Sequence, residues 1–306
     1  MPINTTYDVR NLPEDLRNFA LHNWDDTPFY SMVLARGVET INSTRIEWSE
    51  KFNNDHSNKD NAEGQGKQES DTFTGGDNFS NYTQIYHEAV DYSTSQLAVE
   101  NGKQIKTLHK AEKYGDIKGQ INESILTGKK SDGDGNKVRK TGGLITAVST
   151  NVVNAGTEDG SGGFNSGELT KQHIEGPDGV LRKIVKNTKR KLRNHVIFVN
   201  APLLLKINEI YGVEPASRTE GGLAVSRIIT VFGAVDVVLD QTIPEDVVLV
   251  SKMDKNKINV LPTHGQNLYE GPEEKSGLQV YQEMATEQTF KFGHEAWHGV
   301  ITNAKY

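Results

Sequence analysis

The sequence predicts an α+β fold, and three observations lead to that prediction. Helix-like and strand-like segments are mixed along the 306 residues without the alternating βαβ rhythm of a parallel sheet. Apolar residues recur at three- and four-residue spacings between residues 94 and 127, which indicates a long helix. From Arg227 onward, short runs rich in β-branched residues indicate several strands.

The composition narrows the function classes. The chain has no cysteine, which excludes a disulfide framework and thiolate metal sites and fits a reducing cytoplasm. Its formal net charge is −7, so any contact with nucleic acid would have to be local. No apolar stretch approaches the roughly 18 residues of a membrane span, and we expect no membrane association.

The N-terminal region is punctuated by proline. Residues 1–23 contain few apolar groups, which indicates an extended arm followed by a short helix over residues 13–21. Thr27 and Pro28 form a helix-start signal, with Thr27 as the N-cap and Pro28 at the first helical position. Phe29 and its neighbours Met32 and Val33 would then face a core.

Two extended stretches surround a long polar segment. Residues 40–48 alternate with a period of two, which is typical of a strand, and residues 81–93 form a second extended run. Between them, residues 53–72 contain Ala62 as their only hydrophobic residue, and such a segment cannot bury enough surface to offset its ordering entropy. A protruding hairpin and a disordered insertion account equally well for this composition.

The remaining elements follow from periodicity and punctuation. Gly128 is expected to end the long helix as a C-cap glycine. A second helix is predicted over residues 179–192 and a third over residues 201–211, closed by Gly212. The predicted strands are HVIFVN, RIITVF, AVDVVL, DVVLVS, KINVLP and the alternating stretch 279–302.

The motif HEAWH raises the hypothesis of a zinc hydrolase, with His294 and His298 as ligands and Glu295 as general base. On a helix the two histidines would share one face, whereas on a strand they would lie about 13 Å apart. Gly293, Gly299 and the β-branched flanks favour a strand, and no third ligand follows the motif. The sequence therefore predicts neither metal nor cofactor, and the signature is interpreted as accidental.

Two further patterns have ordinary interpretations. The loop SDGDGNKVRKTGG resembles the start of a calcium loop, but Lys137 and Gly143 occupy positions that need glycine and glutamate. It is interpreted as a polar turn. The run RKIVKNTKRKLR, residues 182–193, holds seven basic residues. It could contact phosphates, but the solvated side of an amphipathic helix is the favoured interpretation.

Several segments, taken in order, resemble one family. They are DTPFYSMVLARG, STRIEWSEK, NYTQIYHEAVDYSTSQLAVE, LHKAEKYGDIKGQINESILTG, GGLITAV, FGAVDVVLD, DVVLVSK and EQTFKFGHEAWHGVITNA. Together they are similar to the major capsid proteins of tailed bacteriophages, which have the Hong Kong-97-type (HK-97-like) fold. The similarity covers the chain from about Asp26 onward and is weakest between Gly156 and Leu192.

The resemblance implies a division of the chain into five parts. These are an N-terminal arm (1–38), an extended E-loop hairpin (39–92), a peripheral domain (93–164) with a spine helix over about 96–127, an axial domain (165–268) and return strands of the peripheral domain (269–306).

The resemblance also implies a function and partners. The chain would be a structural head protein, not an enzyme, self-assembling into hexamers and pentamers of an icosahedral shell around double-stranded DNA. Besides itself, its expected partners are a portal protein, a scaffolding protein, a decoration protein and, through weak non-specific contact, the packaged DNA. We expect it in the virion, after assembly in the cytoplasm of the host bacterium.

A hairpin and an arm with little core of their own would need neighbouring subunits to order them. The residues expected to face neighbours are Arg45, Glu47, Trp48, Tyr82 and Tyr86, although pairing across the hairpin explains them almost as well. The alternative functions are a zinc metallohydrolase acting through His294, Glu295 and His298, and a tail or adhesin binding module.

Overall fold

One long helix dominates the helical part of the computed structural model. The structure describes residues 27–52, 63, 75–98, 102–135, 137–156, 167–212, 218–220 and 223–306. Its helices are α1 (Pro28–Leu34), α2 (Thr94–Ala98), α3 (Gly102–Thr127), α4 (Leu144–Ala147), α5 (Lys171–Glu175), α6 (Val180–Thr188) and α7 (Ala201–Tyr211). Within these ranges, no helix is both long enough and apolar enough to cross a membrane. The helix predicted over residues 13–21 lies outside the described residues.

The strands in the described part of the chain form two large sheets and one separate two-stranded sheet, so the predicted α+β class is confirmed. They are β1 (Val38–Thr40), β2 (Arg45–Glu50), β3 (Asp77–Tyr82), β4 (Gln84–Ser93), β5 (Val152–Asn154), β6 (His195–Val199), β7 (Arg218–Glu220), β8 (Leu223–Thr230), β9 (Gly233–Leu239), β10 (Val248–Lys252), β11 (Lys257–Leu261), β12 (Tyr269–Glu270), β13 (Glu274–Ser276), β14 (Gln279–Lys291) and β15 (Gly299–Thr302).

The first sheet is organised around the long strand β14. Its order is β1-β11-β14-β12, and β4 and β13 also pair with β14. Strand β4 pairs with β14 antiparallel over ten residues. Tyr86 and Val90 of β4 are buried on the side where α3 packs, and α3 buries Ile117, Ile121 and Ile125 at four-residue spacings. The long helix and the long antiparallel pair therefore share one core.

The second sheet carries the other core. Its order is β5-β15-β10-β6-β9-β8-β7. All five residues of the central strand β6 are buried, as expected for a strand covered on both faces. Leu181 and Ile184 of α6 and Leu203 of α7 belong to the same apolar cluster. The amphipathic helix α6 thus places its apolar side on the sheet and its basic side in solvent.

Two strands pair with partners that lie in a different predicted domain. Strand β11 lies within the predicted axial range 165–268 but pairs with β14 in the first sheet. Strand β15 lies within the predicted return segment 269–306 but pairs with β10 in the second sheet, where β5 also pairs with β15. The chain passes between the sheets more often than the five-part division implies, because the pairing partners are distant in sequence.

The predicted N-terminal arm, residues 1–38, requires correction at its C-terminal end. Residues 1–26 lie outside the described part, but α1 belongs to the core of the subunit. Phe29 and Val33 are fully buried, as predicted, and the Phe29 ring makes edge contacts with Phe198 at 5.1 Å and with Phe290 at 5.8 Å between centroids. The segment therefore joins the two sheets rather than extending away from them.

A buried carboxylate holds the start of α1 in place. Asp240, at 0% exposure, accepts hydrogen bonds from the backbone N–H groups of Phe29 (3.3 Å) and Thr242 (2.9 Å). The Asn122 amide of α3 donates to both Asp240 oxygens at 3.2 Å and to the Thr242 hydroxyl at 2.7 Å. The Asn122 side-chain oxygen accepts from Tyr30 N–H at 2.9 Å. This network links α1, α3 and the end of β9, as a buried polar group requires.

The glycine in β15 tests the packing between α6 and the second sheet. A Cβ on Gly299 would lie 2.3 Å from Val180 Cγ2 and 3.1 Å from Ile184 Cδ1. We expect Gly299→Ala to lower the free energy of unfolding by about 1–3 kcal/mol through overpacking. Gly119→Ala is the matched control, because its Cβ would meet nothing within 4 Å and alanine stabilises a helix by about 1 kcal/mol. Urea denaturation of the two variants should give shifts of opposite sign.

Candidate inter-subunit surface

The HEAWH motif forms a tight turn between two strands. Residues Glu295–Trp297 make one turn of 3-10 helix between β14 and β15, so the prediction of a continuous strand through the motif is wrong. Gly293 has φ +67, and the His294 Nδ1 atom accepts a hydrogen bond from Ala296 N–H at 3.0 Å. A left-handed glycine followed by a side-chain cap redirects the chain here.

The two histidines of the motif use their ring nitrogens within the protein. His294 Nε2 lies 2.8 Å from Asp77 Oδ2 of β3. His298 is fully buried, and its Nε2 donates to the Phe292 carbonyl at 2.7 Å while its Nδ1 lies 3.2 Å from Ser251 Oγ. All four ring nitrogens therefore contact protein atoms, and the two rings do not point toward one common metal position.

The carboxylate of Glu295 binds Ser149 of the same chain. One of its carboxylate oxygens accepts hydrogen bonds from the backbone N–H and the hydroxyl of Ser149, both at 2.7 Å. Among the described residues, no group of three or more histidine, aspartate or glutamate side chains could hold a metal ion. The side chains of the motif thus connect the turn to Ser149 and to Asp77 of β3.

Burial keeps two neighbouring histidines neutral. Loss of hydration lowers the pKa of His298 to about 3, and it lowers the pKa of His195 to about 4 with the Lys252 charge as the next cause. The unfolded chain binds protons at these positions from about pH 6.5 downward, whereas the folded chain does not until near pH 4 or below. Stability must therefore fall as the pH falls through this window.

We accordingly expect the free energy of unfolding of the unassembled subunit to decrease between pH 6 and pH 4. Each of the two histidines contributes up to about 1.4 kcal/mol per pH unit. Urea denaturation at several pH values measures the slope. His298→Asn removes one titrating group and should make the decrease shallower, even though the variant is less stable at pH 7. An unchanged slope would contradict a neutral, buried His298.

The turn supports the root of the hairpin formed by β2 and β3. In this antiparallel pair, Trp48 lies opposite Phe79, and their rings stack with 6.0 Å between centroids. Trp48 also makes an edge contact with Phe292 at 5.2 Å, and its Nε1–H donates to the Gly293 carbonyl at 2.7 Å. The hairpin root therefore packs on its own subunit, although the sequence predicted little core for the hairpin.

Two further contacts attach the hairpin root. The Phe52 ring lies 4.7 Å from His294 and 4.8 Å from Trp297 between centroids. Asn81 is 1% exposed, and its amide donates to the carbonyls of Gly142 at 3.0 Å and Phe290 at 2.8 Å. Its side-chain oxygen accepts from Gly142 N–H at 2.7 Å. The root is thus a fixed part of the subunit.

The predicted hairpin range 39–92 is larger than the hairpin in the structure. Among the described residues, β2 and β3 form the separate two-stranded sheet, whereas β4 belongs to the first sheet. The polar segment predicted over residues 53–72 lies outside the described residues except for Glu63, so its outcome as hairpin tip or disordered insertion stays a prediction.

The five residues predicted to face neighbours separate into three locations. Arg45 and Glu47 are exposed on the outer side of the hairpin, where they form an ion pair with each other. Tyr82 is half-buried on the same side, with the Arg45 guanidinium 5.8 Å and the Lys130 ammonium 5.5 Å from its ring centroid.

The other two predicted contact residues pack within their own subunit. Trp48 lies on the inner side of the hairpin and packs on Phe79 and Phe292 of its own subunit. Tyr86 is 2% exposed in the core shared by β4 and α3, so a neighbouring subunit cannot reach its ring. Residues that sequence reasoning missed are Phe52, Asp77 and Asn81, whose partners lie 60 to more than 200 residues away along the chain.

Comparison with known proteins finds one matching family. The profile of the family described as SU10 major capsid protein matches residues 2–305. No curated protein matches the chain by sequence.

Solved structures show the same fold at low sequence identity. The capsid of Cyanophage A-1(L) superposes with a TM-score of 0.67 at 13% identity, covering 97% of this chain and 99% of that chain. The structure of Mycobacterium phage Adephagia gives 0.58 at 11% identity and covers 98% of both chains. An encapsulin complex from Synechococcus elongatus PCC 7942 gives 0.57 at 12% identity, covering 100% of this chain and 97% of that one. These similarities confirm the predicted Hong Kong-97-type fold.

Proposed function

The chain belongs to the SU10 major capsid protein family and is a structural protein of the phage capsid, and from this premise we propose that its copies form the hexamers and pentamers of an icosahedral shell around double-stranded DNA. The shell stands in the virion and is assembled in the cytoplasm of the host bacterium. A portal protein, a scaffolding protein and a decoration protein remain proposed partners, as does weak, non-specific contact with the packaged DNA.

The observation that carries the proposal is the separate hairpin sheet. A two-stranded sheet is marginally stable in water unless another surface packs on it. The inner side of this hairpin packs on Phe292 and His294 of its own subunit, while Arg45 and Glu47 on the outer side are exposed. We propose that the outer side and the segment between β2 and β3 contact adjacent subunits, and that many such modest contacts add up across a closed shell.

The two alternative functions lack a supporting observation. A zinc metallohydrolase would need the nitrogens of His294 and His298 to converge, whereas these atoms contact Asp77, Ala296, Phe292 and Ser251. A tail or adhesin module would be expected to remain a small oligomer.

Negative-stain electron microscopy of the purified full chain tests the proposal. We expect closed, symmetric particles whose number rises with protein concentration, alone or with a co-expressed scaffolding protein. A monodisperse monomer or trimer at all concentrations, with and without the scaffold, would favour the binding module instead.

A further inference from the structure

One end of the second sheet carries a concentrated positive charge. The end of α6 and the turn that follows it present Lys186, Lys189, Arg190, Lys191 and Arg193, which we call the basic strip. All five side chains are exposed. Within the described part of the chain, no ion pair joins Arg190, Lys191 or Arg193 to an acidic side chain. In a protein of net charge −7, such a surface is suited to a negatively charged partner.

The turn that carries the basic strip is held rigidly. Lys189 adopts φ 51, and its N–H donates to the Val185 carbonyl at 2.8 Å, which closes α6 with a left-handed cap. Leu192 is buried in the core of the second sheet. The Asn194 amide donates to Asp254 Oδ2 at 2.7 Å. The charges are therefore positioned before any partner arrives.

The positive field extends onto the adjacent strand β10. The Lys252 ammonium lies 3.6 Å from the centroid of the Trp297 ring. Burial lowers the pKa of Lys252, the carboxylates of Asp254 and Glu50 raise it, and the positive charges of Lys255 and Arg190 lower it. Arg190 of the basic strip is therefore close enough to repel the Lys252 ammonium.

The opposite end of the same strands has the opposite charge. Strands β6 and β10 are antiparallel partners, with Lys252 next to His195 at one end and Val248 next to Val199 at the other. At the second end, a cleft of about 750 Å³ lies between α3 and the loop 241–245. Its exposed acidic residues include Glu123 and Glu245, which we call the acidic rim. The strands alone separate the two charged surfaces by about 13 Å.

We propose that the basic strip of one copy binds the acidic rim of a second copy, so that neighbouring subunits join head to tail through the oppositely charged ends of the second sheet. This inference rests on the proposed assembly into rings. A ring of identical subunits needs two different, complementary surfaces on every subunit, and charge complementarity fixes their register. The basic strip and the acidic rim lie at opposite ends of the second sheet. Phosphates of duplex DNA are the competing partner of the basic strip.

Cysteine cross-linking tests the contact without requiring a closed shell. The chain has no cysteine, so single cysteines report proximity without background. We expect a mixture of Lys191→Cys and Glu245→Cys subunits to form an intermolecular disulfide at least about tenfold faster than a mixture of Lys191→Cys with Asp134→Cys, an exposed control in the polar loop. Equal rates in the two mixtures would overturn the proposal.

Charge exchange tests the energetics of the same contact. Arg190→Glu/Lys191→Glu and Glu123→Lys/Glu245→Lys should each reduce association by about tenfold or more, because like charges then face each other. The four substitutions together should restore it. The matched control combines the basic-strip reversal with Glu274→Lys and Asp134→Lys, which restores the net charge at exposed positions elsewhere and should not rescue.

The remaining outcomes are equally informative. Circular dichroism and urea denaturation of each unassembled variant establish that it is folded. If the fourfold variant associates no better than the twofold variants, the pairing is wrong. If the basic-strip reversal leaves association unchanged but weakens binding to a random-sequence DNA duplex and flattens its salt dependence, the strip contacts phosphates, and the proposal is overturned while the proposed capsid function stands.

Discussion

Asp240→Ala should lower the free energy of unfolding of the unassembled subunit by about 3 kcal/mol or more. The carboxylate is completely buried and accepts from two backbone N–H groups and from the Asn122 amide. Alanine would leave the two backbone N–H groups without an acceptor in the interior, where each unsatisfied group costs about 1–3 kcal/mol. It would also release the first turn of α1, which carries Phe29 into the contact between the two sheets.

Urea denaturation measures this loss, because the shift of the midpoint multiplied by the slope gives the change in free energy. Asp246→Ala is the matched control, since Asp246 is exposed in the loop just beyond the same strand and its removal should change stability by less than about 0.5 kcal/mol. Asn122→Ala should approach the effect of Asp240→Ala, because it leaves the Asp240 carboxylate buried with one fewer donor. If Asp240→Ala costs no more than Asp246→Ala, the network does not hold α1.

Local pattern predicted the elements but not their partners. The periodicity of residues 94–127 predicted the position of α3, and the β-branched runs after Arg227 predicted β8 to β11. These signals are short-range, because they depend on which side chains share a face. The pairing of β4 with β14 joins segments about 190 residues apart, and no local pattern encodes such a register. For the same reason the five-part division does not anticipate that β11 and β15 pair across its boundaries.

At the candidate surface, too, the sequence predicted the strands but not the distant residues that contact their side chains. The extended run over residues 81–93 predicted the strand β4, but the packing of α3 on that strand determines that Tyr86 is buried. Trp48 was expected to face neighbours because the hairpin was predicted to have little core of its own, whereas Phe79 and Phe292 supply its apolar contacts from distant segments. The strand-forming flanks of HEAWH were recognised correctly as β14 and β15. The turn between them depends on the cap by His294 and on left-handed Gly293, which composition does not reveal.

Deleting residues 55–70 should abolish or misdirect particle assembly while leaving the subunit folded. The expected effect on assembly is large, because each subunit in a shell would lose a contact that is repeated around every capsomer. The expected effect on subunit stability is small. The contacts that hold the hairpin root, those of Trp48, Phe79 and Asn81, lie outside the deleted range.

Two measurements separate these effects. Electron microscopy and sedimentation of the deletion variant report assembly, and urea denaturation of the unassembled subunit reports folding. Replacing residues 55–70 by a glycine–serine segment of equal length is the matched control, because it keeps the chain length and removes the side chains. If this variant also fails to assemble, side-chain contacts of the segment are required. If the deletion variant forms particles of normal size and number, the proposed use of the hairpin as an inter-subunit arm is wrong.

Trp48→Ala complements the deletion by acting on the root alone. The substitution removes the stack on Phe79, the edge contact with Phe292 and the hydrogen bond to Gly293. A loss of about 3 kcal/mol is expected for a well-packed tryptophan, and it should appear in the unassembled subunit, where the deletion has little effect. The two variants therefore test separate roles for the two parts of the hairpin: we expect the root to stabilise its own subunit, and we propose that the segment between β2 and β3 contacts neighbouring subunits.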